Sequence, residues 1–128
     1  MAALARLMGA GVRTALFIDP EEDAIRTAVD LGADAVELHT GEYANAPRSA
    51  RREHIERLNR AASIARKLSL DVHAGHGLTY ENVHPVAAIP EIEELNIGHS
   101  IVSRAIFTGL EAAVLEMATI VRRARRRS

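Results

Sequence analysis

The sequence predicts an α/β fold of the (β/α)8 TIM-barrel type, of which this chain contains four strand–helix units. Short apolar stretches alternate with segments of helical periodicity, which favours parallel strands joined by right-handed crossovers. Polar residues gather where each of these strands ends, and parallel-sheet proteins place their sites at that edge. Glycine–histidine turns follow the last two strands, where barrels commonly bind phosphate.

The first strand–helix unit is predicted near the beginning of the chain. Residues 12–18 form an apolar run of strand length. Asp19 is a suitable N-cap for the next helix, and Pro20 fits the first helical position. An apolar stripe at helical spacing follows: Ile25, Ala28 and Val29. Gly32 is expected to end this helix as the residue after its C-cap.

The second unit is longer. Residues 35–39 are predicted as a strand, and residues 40–49 as a polar loop that contains Gly41, Asn45 and Pro47. A helix is expected over residues 50–68, because apolar residues recur there at helical spacing. These residues are Ile55, Leu58, Ala62, Ala65 and Leu68.

The third unit begins with a strand over residues 70–74. Thr79 is expected to cap a short helix, and Pro85 and Pro90 to bracket a further turn. These signals place a compact connection between the third strand and the fourth.

The fourth unit closes the chain. Residues 94–97 are predicted as a strand and residues 100–107 as a short extra helix. A last helix follows Gly109, with the apolar residues Leu110, Ala113, Val114, Met117, Ile120 and Val121. Glycine turns on the last two strands and a short helix after them match the second half of a TIM barrel.

Composition limits the classes of protein to which this chain can belong. Its 128 residues, 48% of them hydrophobic, predict one globular domain over residues 1–128. The absence of cysteine excludes disulfides and thiolate metal sites and fits a cytoplasmic location. No apolar run reaches the roughly 20 residues that span a bilayer, and the first residues do not form a clear signal peptide. A net charge of −1 predicts neither nucleic-acid nor membrane binding.

Arginines crowd the end of the chain: Arg122, Arg123, Arg125, Arg126 and Arg127. We interpret them as a solvated helix end, where cations complement the helix dipole. A tail that binds polyanions is the alternative.

Two glycine–histidine turns carry the chemistry predicted for this chain. Residues 74–79 read AGHGLT, and residues 96–100 read NIGHS. Glycine lets the backbone approach a ligand closely, and free amides at a helix N-terminus bind anions. Histidine beside them can transfer a proton near neutral pH. Together the two turns indicate a phosphate site with an acid–base group attached.

Individual side chains suggest separate roles. His76 is the candidate general acid or base, with a hydrogen-bonded turn residue as the alternative. We interpret His99 as a contact to phosphate or hydroxyl. Glu37 points to the same side of its strand as His39, so it can stabilise a cationic or imine-like intermediate. A salt-bridged or solvated glutamate is equally compatible with Glu37, and His73 either lines the cavity or is a buried, hydrogen-bonded histidine.

Other chemistries are less well supported. Several histidines and a glutamate near one rim can hold a metal, but the flanking glycines favour an anion. Neither a G-x-S-x-G elbow nor a Walker A or dinucleotide-binding pattern is present. An aldolase-like lyase would need a Schiff-base lysine, and the only lysine, Lys67, lies on the polar end of a predicted helix.

Four motifs resemble the pyridoxine 5′-phosphate synthase family, TIM-barrel enzymes that close the pyridine ring of vitamin B6. They are residues 16–19 (LFID), 37–41 (ELHTG, with Tyr43-Ala44), 74–80 (AGHGLTY) and 94–99 (ELNIGH). Arg104-Ala105 and residues 108–110 (TGL) continue the similarity, which covers essentially the whole chain.

The resemblance implies the condensation of 1-deoxy-D-xylulose 5-phosphate with 3-amino-2-oxopropyl phosphate to pyridoxine 5′-phosphate, phosphate and water. It implies no organic cofactor and no metal. His76 matches the family's proton donor, and Glu37 its transition-state-stabilising carboxylate. Gly77, Gly98 and His99 match positions that hold the aminoketone phosphate.

The resemblance also implies that the family's N-terminal half is missing. The match begins near the end of the family's fourth helix, so residues 1–11 resemble the remnant of that helix. Most substrate contacts and the general base of the family lie in that other half. We therefore expect the chain to bind phosphorylated small molecules, and to form a homo-oligomer or pair with the missing half. The alternative is a catalytically incomplete half-barrel that self-associates and binds phosphate.

Overall fold

A four-stranded parallel sheet is the centre of the fold. The computed structural model describes residues 2–126. The strands lie side by side in the order of the chain. They are β1 (Ala15–Ile18), β2 (Ala35–His39), β3 (Asp71–Gly75) and β4 (Glu94–Asn96).

Helices connect the strands and extend the fold at both ends. Within residues 2–126 they are α1 (Ala2–Gly9), α2 (Glu22–Asp30), α3 (Gly41–Asn45), α4 (Arg51–Lys67), α5 (Val83–Ala87), α6 (His99–Thr108) and α7 (Leu110–Arg125). None of the helices in this range is long and apolar enough to cross a bilayer.

The two faces of the sheet differ in polarity. Val36, Leu38 and Val72 are completely buried beneath the helices. Successive residues of a strand point to opposite faces, so the intervening side chains lie on the other face. The strand register aligns Phe17 with Glu37, and Glu37 with His73, across that second face. Phe17 is 55% exposed, so this polar face is open to solvent.

All four predicted strands are present in the structure, but three of them begin or end at a different residue than predicted. Residues 35–39 form β2 as predicted, whereas β3 and β4 differ from prediction by about one residue. The first strand begins at Ala15 rather than at residue 12, because the chain turns at Gly11, whose φ is +71°. Val12 belongs to this turn, where its amide donates to the carbonyl of Leu7.

The prediction for the start of α2 is wrong. The helix begins at Glu22, with Glu21 rather than Asp19 at the N-cap position. The Asp19 carboxylate instead lies 3.2 Å from Nδ1 of His39, on the neighbouring strand. The carboxylate that the sequence pattern assigned to the start of the helix thus pairs with His39 instead.

The apolar stripe of α2 is confirmed in part, and the residue predicted to end this helix is confirmed. Ile25 and Ala28 are buried, as expected, but Val29 is 37% exposed. Gly32 follows the C-cap residue with φ +75°, which confirms it as the residue that ends the helix.

Residues 40–49 are not entirely a loop, because α3 occupies Gly41–Asn45. Tyr43 is buried against the rest of the fold, and the amide of Ala44 donates to the carbonyl of Thr40. Burial of one aromatic ring stabilises a helical turn that the local composition does not predict.

The predicted N-cap of the short helix α5 is wrong. Asn82, not Thr79, is at the N-cap position. Pro85 lies within the first turn of α5, where its missing N–H removes no helical hydrogen bond. Thr79 instead begins the preceding turn, where its amide donates to Oδ1 of Asn82.

The last two helices follow the prediction closely. The short extra helix is α6, and Gly109 separates it from α7 with φ +82°. Ala113 and Met117 of the predicted stripe are buried, whereas Leu110 and Val114 are 62% and 47% exposed. The buried residues attach α7 to the rest of the domain.

The interpretation of the terminal arginines is corrected at one residue. Arg122 and Arg123 are exposed, as expected of a solvated helix end. Arg125, however, donates to the carbonyl oxygens of Ile89 and Pro90 at 3.1 and 3.2 Å. Arg127 and Met1 lie outside the described residues.

Candidate active site

A cavity of about 830 Å³ lies at the carboxyl ends of the strands. Its wall includes all five residues that the sequence predicted for the site. They are Glu37, His76, Gly77, Gly98 and His99. The structure thus brings together side chains from β2 and from the turns after β3 and β4.

The turn after β3 presents His76 in an uncommon backbone conformation. The φ angles of His76 and Gly77 are +83° and +76°. A non-glycine residue in this region typically stores about 1–3 kcal/mol of strain, so its surroundings must hold it there. The buried hydroxyl of Thr40 lies 2.7 Å from the carbonyl oxygen of Gly75 and 2.6 Å from that of His76. Its single proton is shared between these two acceptors, which fixes the turn.

Asn82 organises the rest of the same turn. Its side chain accepts from the amide of Thr79 at 2.7 Å and donates to the carbonyl of Gly77 at 3.1 Å. The hydroxyl of Tyr43 in turn donates to the carbonyl of Asn82 at 2.6 Å. Burial raises the pKa of Tyr43, and the charge of Arg51 opposes this more weakly. The glycine-containing turn is therefore preformed.

The second turn leads directly into α6. Gly98 is at the N-cap position, and His99 is the first residue of this ten-residue helix. Ser100 Oγ donates to the carbonyl of Leu78 at 2.8 Å, which connects the two turns. No hydrogen bond joins the amide of Gly77 or Gly98 to another group within residues 2–126. These amides can donate hydrogen bonds to an anion, which the positive end of α6 also attracts.

Glu37 occupies the side of the cavity between the two turns. Its Oε2 accepts a hydrogen bond from the side-chain amide of Asn96 at 2.9 Å. Its Oε1 lies so close to Gly75 that a Cβ at position 75 would collide with it. Among the described residues, Glu37 takes part in no salt bridge. Its charge is therefore available to a ligand.

The predicted histidines have different surroundings. His76 and His99 are exposed on the cavity wall. His39 lies behind His76, with ring centroids 4.9 Å apart. His73 is not in this wall, and its Nδ1 lies 3.8 Å from Oε1 of Glu94. Neither alternative for His73 is confirmed, because it is absent from this wall and is half-buried with that carboxylate beyond hydrogen-bond distance.

Sequence reasoning missed the residues that support the cavity wall. Thr40 was assigned to a loop, and the roles of Asn82 and Ser100 in fixing the turns were not recognised. Thr40 and Ser100 each contact a segment that belongs to a different strand, so only the strand register reveals these pairings. Asn82 bonds Gly77 and Thr79 within its own segment, where the sequence offered a local signal that was not used. Across residues 2–126, no three His, Asp or Glu side chains come together in a way that could hold a metal ion. The metal-free reaction stays a prediction.

Comparisons with known proteins place this chain in a family. A family model described as pyridoxal phosphate biosynthesis protein PdxJ matches residues 1–123. A pyridoxine 5′-phosphate synthase of Magnetococcus marinus is 52% identical over 123 residues, which are 95% of this chain and 51% of the relative.

Two further relatives bear the same name. The one from Zymomonas mobilis is 50% identical over 122 residues, which are 95% of this chain and 48% of the relative. The one from Sulfurihydrogenibium sp. is 52% identical over 116 residues, which are 91% of this chain and 48% of the relative. The chain spans about half the length of the curated relatives it matches. With motifs, sheet and family model in agreement, this chain belongs to the family of the pyridoxal phosphate biosynthesis protein PdxJ.

Proposed function

We propose that this chain supplies the phosphate-binding and proton-donating part of a pyridoxine 5′-phosphate synthase. The reaction condenses 1-deoxy-D-xylulose 5-phosphate with 3-amino-2-oxopropyl phosphate and yields pyridoxine 5′-phosphate, phosphate and water. It needs no organic cofactor and no metal. The observation that carries this proposal is that Glu37, His76, Gly77, Gly98 and His99 share one cavity.

The phosphate of the aminoketone is the proposed occupant of the two turns. The amides of Gly77 and Gly98 are free to donate to the phosphate, because no acceptor among the described residues bonds them. Helix α6 adds the positive end of its dipole, and His99 adds a side chain on the same rim. Binding of one phosphate group by both turns leaves the reactive carbon skeleton beside His76 and Glu37.

His76 and Glu37 divide the chemistry between them. His76 donates a proton to a leaving oxygen, a role in which a positioned side chain typically contributes about 10²–10⁴-fold in rate. The carboxylate of Glu37 stabilises positive charge on an imine-like intermediate. Its hydrogen bond from Asn96 orients the carboxylate, and a neutral donor leaves the negative charge uncompensated.

The fold proposed for the working enzyme is the (β/α)8 barrel, with these four units as its second half. Three features support this. The strands are parallel and in chain order, and one face of the sheet is open. The chain also covers about half of each relative. The remaining strands would close the barrel over the polar face.

The test measures binding before activity. Inorganic phosphate is titrated into isotope-labelled chain while backbone amide resonances are followed. We expect the signals of Gly77 and Gly98 to move together with one dissociation constant. Those of Gly9 and Gly11, at the opposite end of the sheet, serve as controls. Unchanged signals at Gly77 and Gly98 would contradict the proposed phosphate site.

Activity is measured after complementation. This chain is combined with the part of the Magnetococcus marinus relative that it does not match, and we call this mixture the complemented enzyme. His76→Ala should lower its turnover by about 10²–10⁴-fold, because it removes the proposed proton donor. His84→Ala, which changes an exposed histidine on α5, is the matched control. Equal turnover in both variants would refute the role of His76.

A second candidate function is a self-associated half-barrel that presents repeated phosphate sites. It is favoured by an apolar surface on α6 and α7, whose side chains are 47–87% exposed. This surface consists of Val102, Ile106, Phe107, Leu110, Val114 and Leu115. Such a large exposed apolar surface is typical of an interface. Sedimentation velocity should then show a dimer at micromolar concentration, and a monomer throughout would exclude this function.

A further inference from the structure

We propose that His39, held by Asp19, is a positioning residue that fixes the imidazole of His76 at the cavity wall. This inference rests on the proposed function, in which His76 is the proton donor. It assigns a role to the end of β2, which otherwise contributes only Glu37 to the cavity.

The first observation is a contact between the two imidazoles. The ring centroids of His39 and His76 are 4.9 Å apart at an interplanar angle of 62°, an edge-to-face arrangement. The ring of Phe17 completes the cluster at 5.0 Å from His39 and 6.4 Å from His76. Edge-to-face packing of this kind favours one relative orientation of the rings.

The second observation is the orientation of His39 itself. Its Nδ1 lies 3.2 Å from Oδ1 of Asp19, so the ring N–H donates to the carboxylate. This bond fixes the plane and the tautomer of the imidazole, as a carboxylate commonly does for a functional histidine. Asp19 follows β1 and His39 ends β2, so the pair also links two neighbouring strands.

The third observation is the space that both rings occupy. A Cβ at Gly41 would lie 2.6 Å from Nε2 of His39 and 3.2 Å from Cδ2 of His76. The two imidazoles therefore pack against the main chain of position 41. A side chain there would displace both rings, so the glycine permits their contact.

The fourth observation explains why His76 needs such support. Its side chain makes no hydrogen bond within residues 2–126, and the residue is exposed in a strained turn. Thr40 holds its main chain through the carbonyl, but a held backbone does not fix the ring. Among the described residues, the ring contacts that restrict it come from His39 and Phe17.

His39 acts through His76 rather than on substrate. It is half-buried and does not line the cavity, whereas His76 does. A displacement of a reacting group by about 1 Å costs about 10²-fold in rate. We therefore expect loss of His39 to lower kcat while the KM of the phosphorylated substrate stays within about twofold.

The test combines a ring measurement on the chain with kinetics on the complemented enzyme. The chain is labelled with ¹³C and ¹⁵N in histidine, and the side-chain couplings of His76 report its rotamers. We expect one rotamer in the wild type and averaging in His39→Ala. His39→Phe keeps a ring against His76 and should restore the single rotamer. Asp19→Ala removes the acceptor of the His39 Nδ1 proton at an exposed position and should change the tautomer signals of His39. The control is His84→Ala, which should leave the signals of His76 unchanged.

The outcomes separate this inference from the proposed function. Unchanged rotamers of His76 in His39→Ala would overturn the positioning role, whatever the kinetics show. A His39→Phe variant with wild-type rotamers and a kcat as low as that of His39→Ala would also overturn it, because His39 would then take part in proton transfer itself. Wild-type turnover in His76→Ala would refute the proposed function. The rotamers of His76 in His39→Ala would still show whether His39 fixes the ring of His76.

Discussion

Gly41→Ala is a sharp perturbation of the candidate site, because it adds a single methyl group between two imidazoles. The new Cβ would lie 2.6 Å from Nε2 of His39, and ordinary contact begins at about 3.4 Å. The ring of His39 must therefore retreat by about 0.8 Å, and the ring of His76, at 3.2 Å, must give way as well. The backbone itself accepts alanine, since Gly41 is helical and its φ is not positive.

The expected effect on turnover requires that the ring of His76, which packs edge-to-face on the ring of His39, moves with it. A shift of about 1 Å costs about 10²-fold in rate, equivalent to about 2.7 kcal/mol in the activation barrier. The effect on stability is smaller, because two contributions oppose each other. Overpacking costs about 1–3 kcal/mol, and replacing a helical glycine by alanine returns about 0.5–1 kcal/mol.

The assay measures kcat of the complemented enzyme under conditions where urea titration shows both proteins to be fully folded. Gly9→Ala is the matched control, because no atom lies within 4 Å of a Cβ at that position. We expect about 10²-fold lower kcat for Gly41→Ala and none of this loss for Gly9→Ala. A Gly41→Ala enzyme with wild-type kcat would refute the reasoning, since both rings would then tolerate displacement without consequence.

Two further predictions concern the residues that hold the turn after β3. Thr40→Val removes the hydroxyl that bonds the carbonyl oxygens of Gly75 and His76, and should lower the free energy of unfolding by about 1–3 kcal/mol in urea titration. Thr40→Ser keeps the hydroxyl and should retain most of this stability. Tyr43 ionises less readily in the folded chain because burial raises its pKa above the ordinary value of 10.0, so stability should fall as pH rises above 10. Tyr43→Phe should lose this alkaline dependence in pH-resolved thermal unfolding, whereas Tyr80→Phe should keep it; equal slopes in both would contradict the assignment.

Local sequence signals were sufficient where a structural feature depends on neighbouring residues. Strand β2 was predicted to the residue, and its alternation of apolar and polar side chains lies between polar segments on both sides. The helix α6 and the break at Gly109 followed from residues close in sequence. Four of the five candidate residues were identified because glycine and histidine stand together at strand ends, and Glu37 because it shares one side of its strand with His39.

The supporting contacts could not be predicted in this way. Asp19 has the residue type and position of an N-cap, but it bonds His39, 20 positions away. Thr40 clamps a turn that follows a different strand, and its role requires the alignment of His39 with Gly75 in the sheet. Pattern reasoning has no access to this alignment, since a strand's partners are set by packing of the whole sheet.

The five residues 37–41 have a consequence for any redesign of this protein. They run from the end of β2 into α3 and pack against the end of the next strand, where Glu37 lies against Gly75. His39, Thr40 and Gly41 all surround His76. The two segments therefore form a single transferable module. Grafting only the turn that contains His76 onto another scaffold would transfer the proposed proton donor without the residues that orient it. Residues 37–41 must therefore be transferred together with this turn.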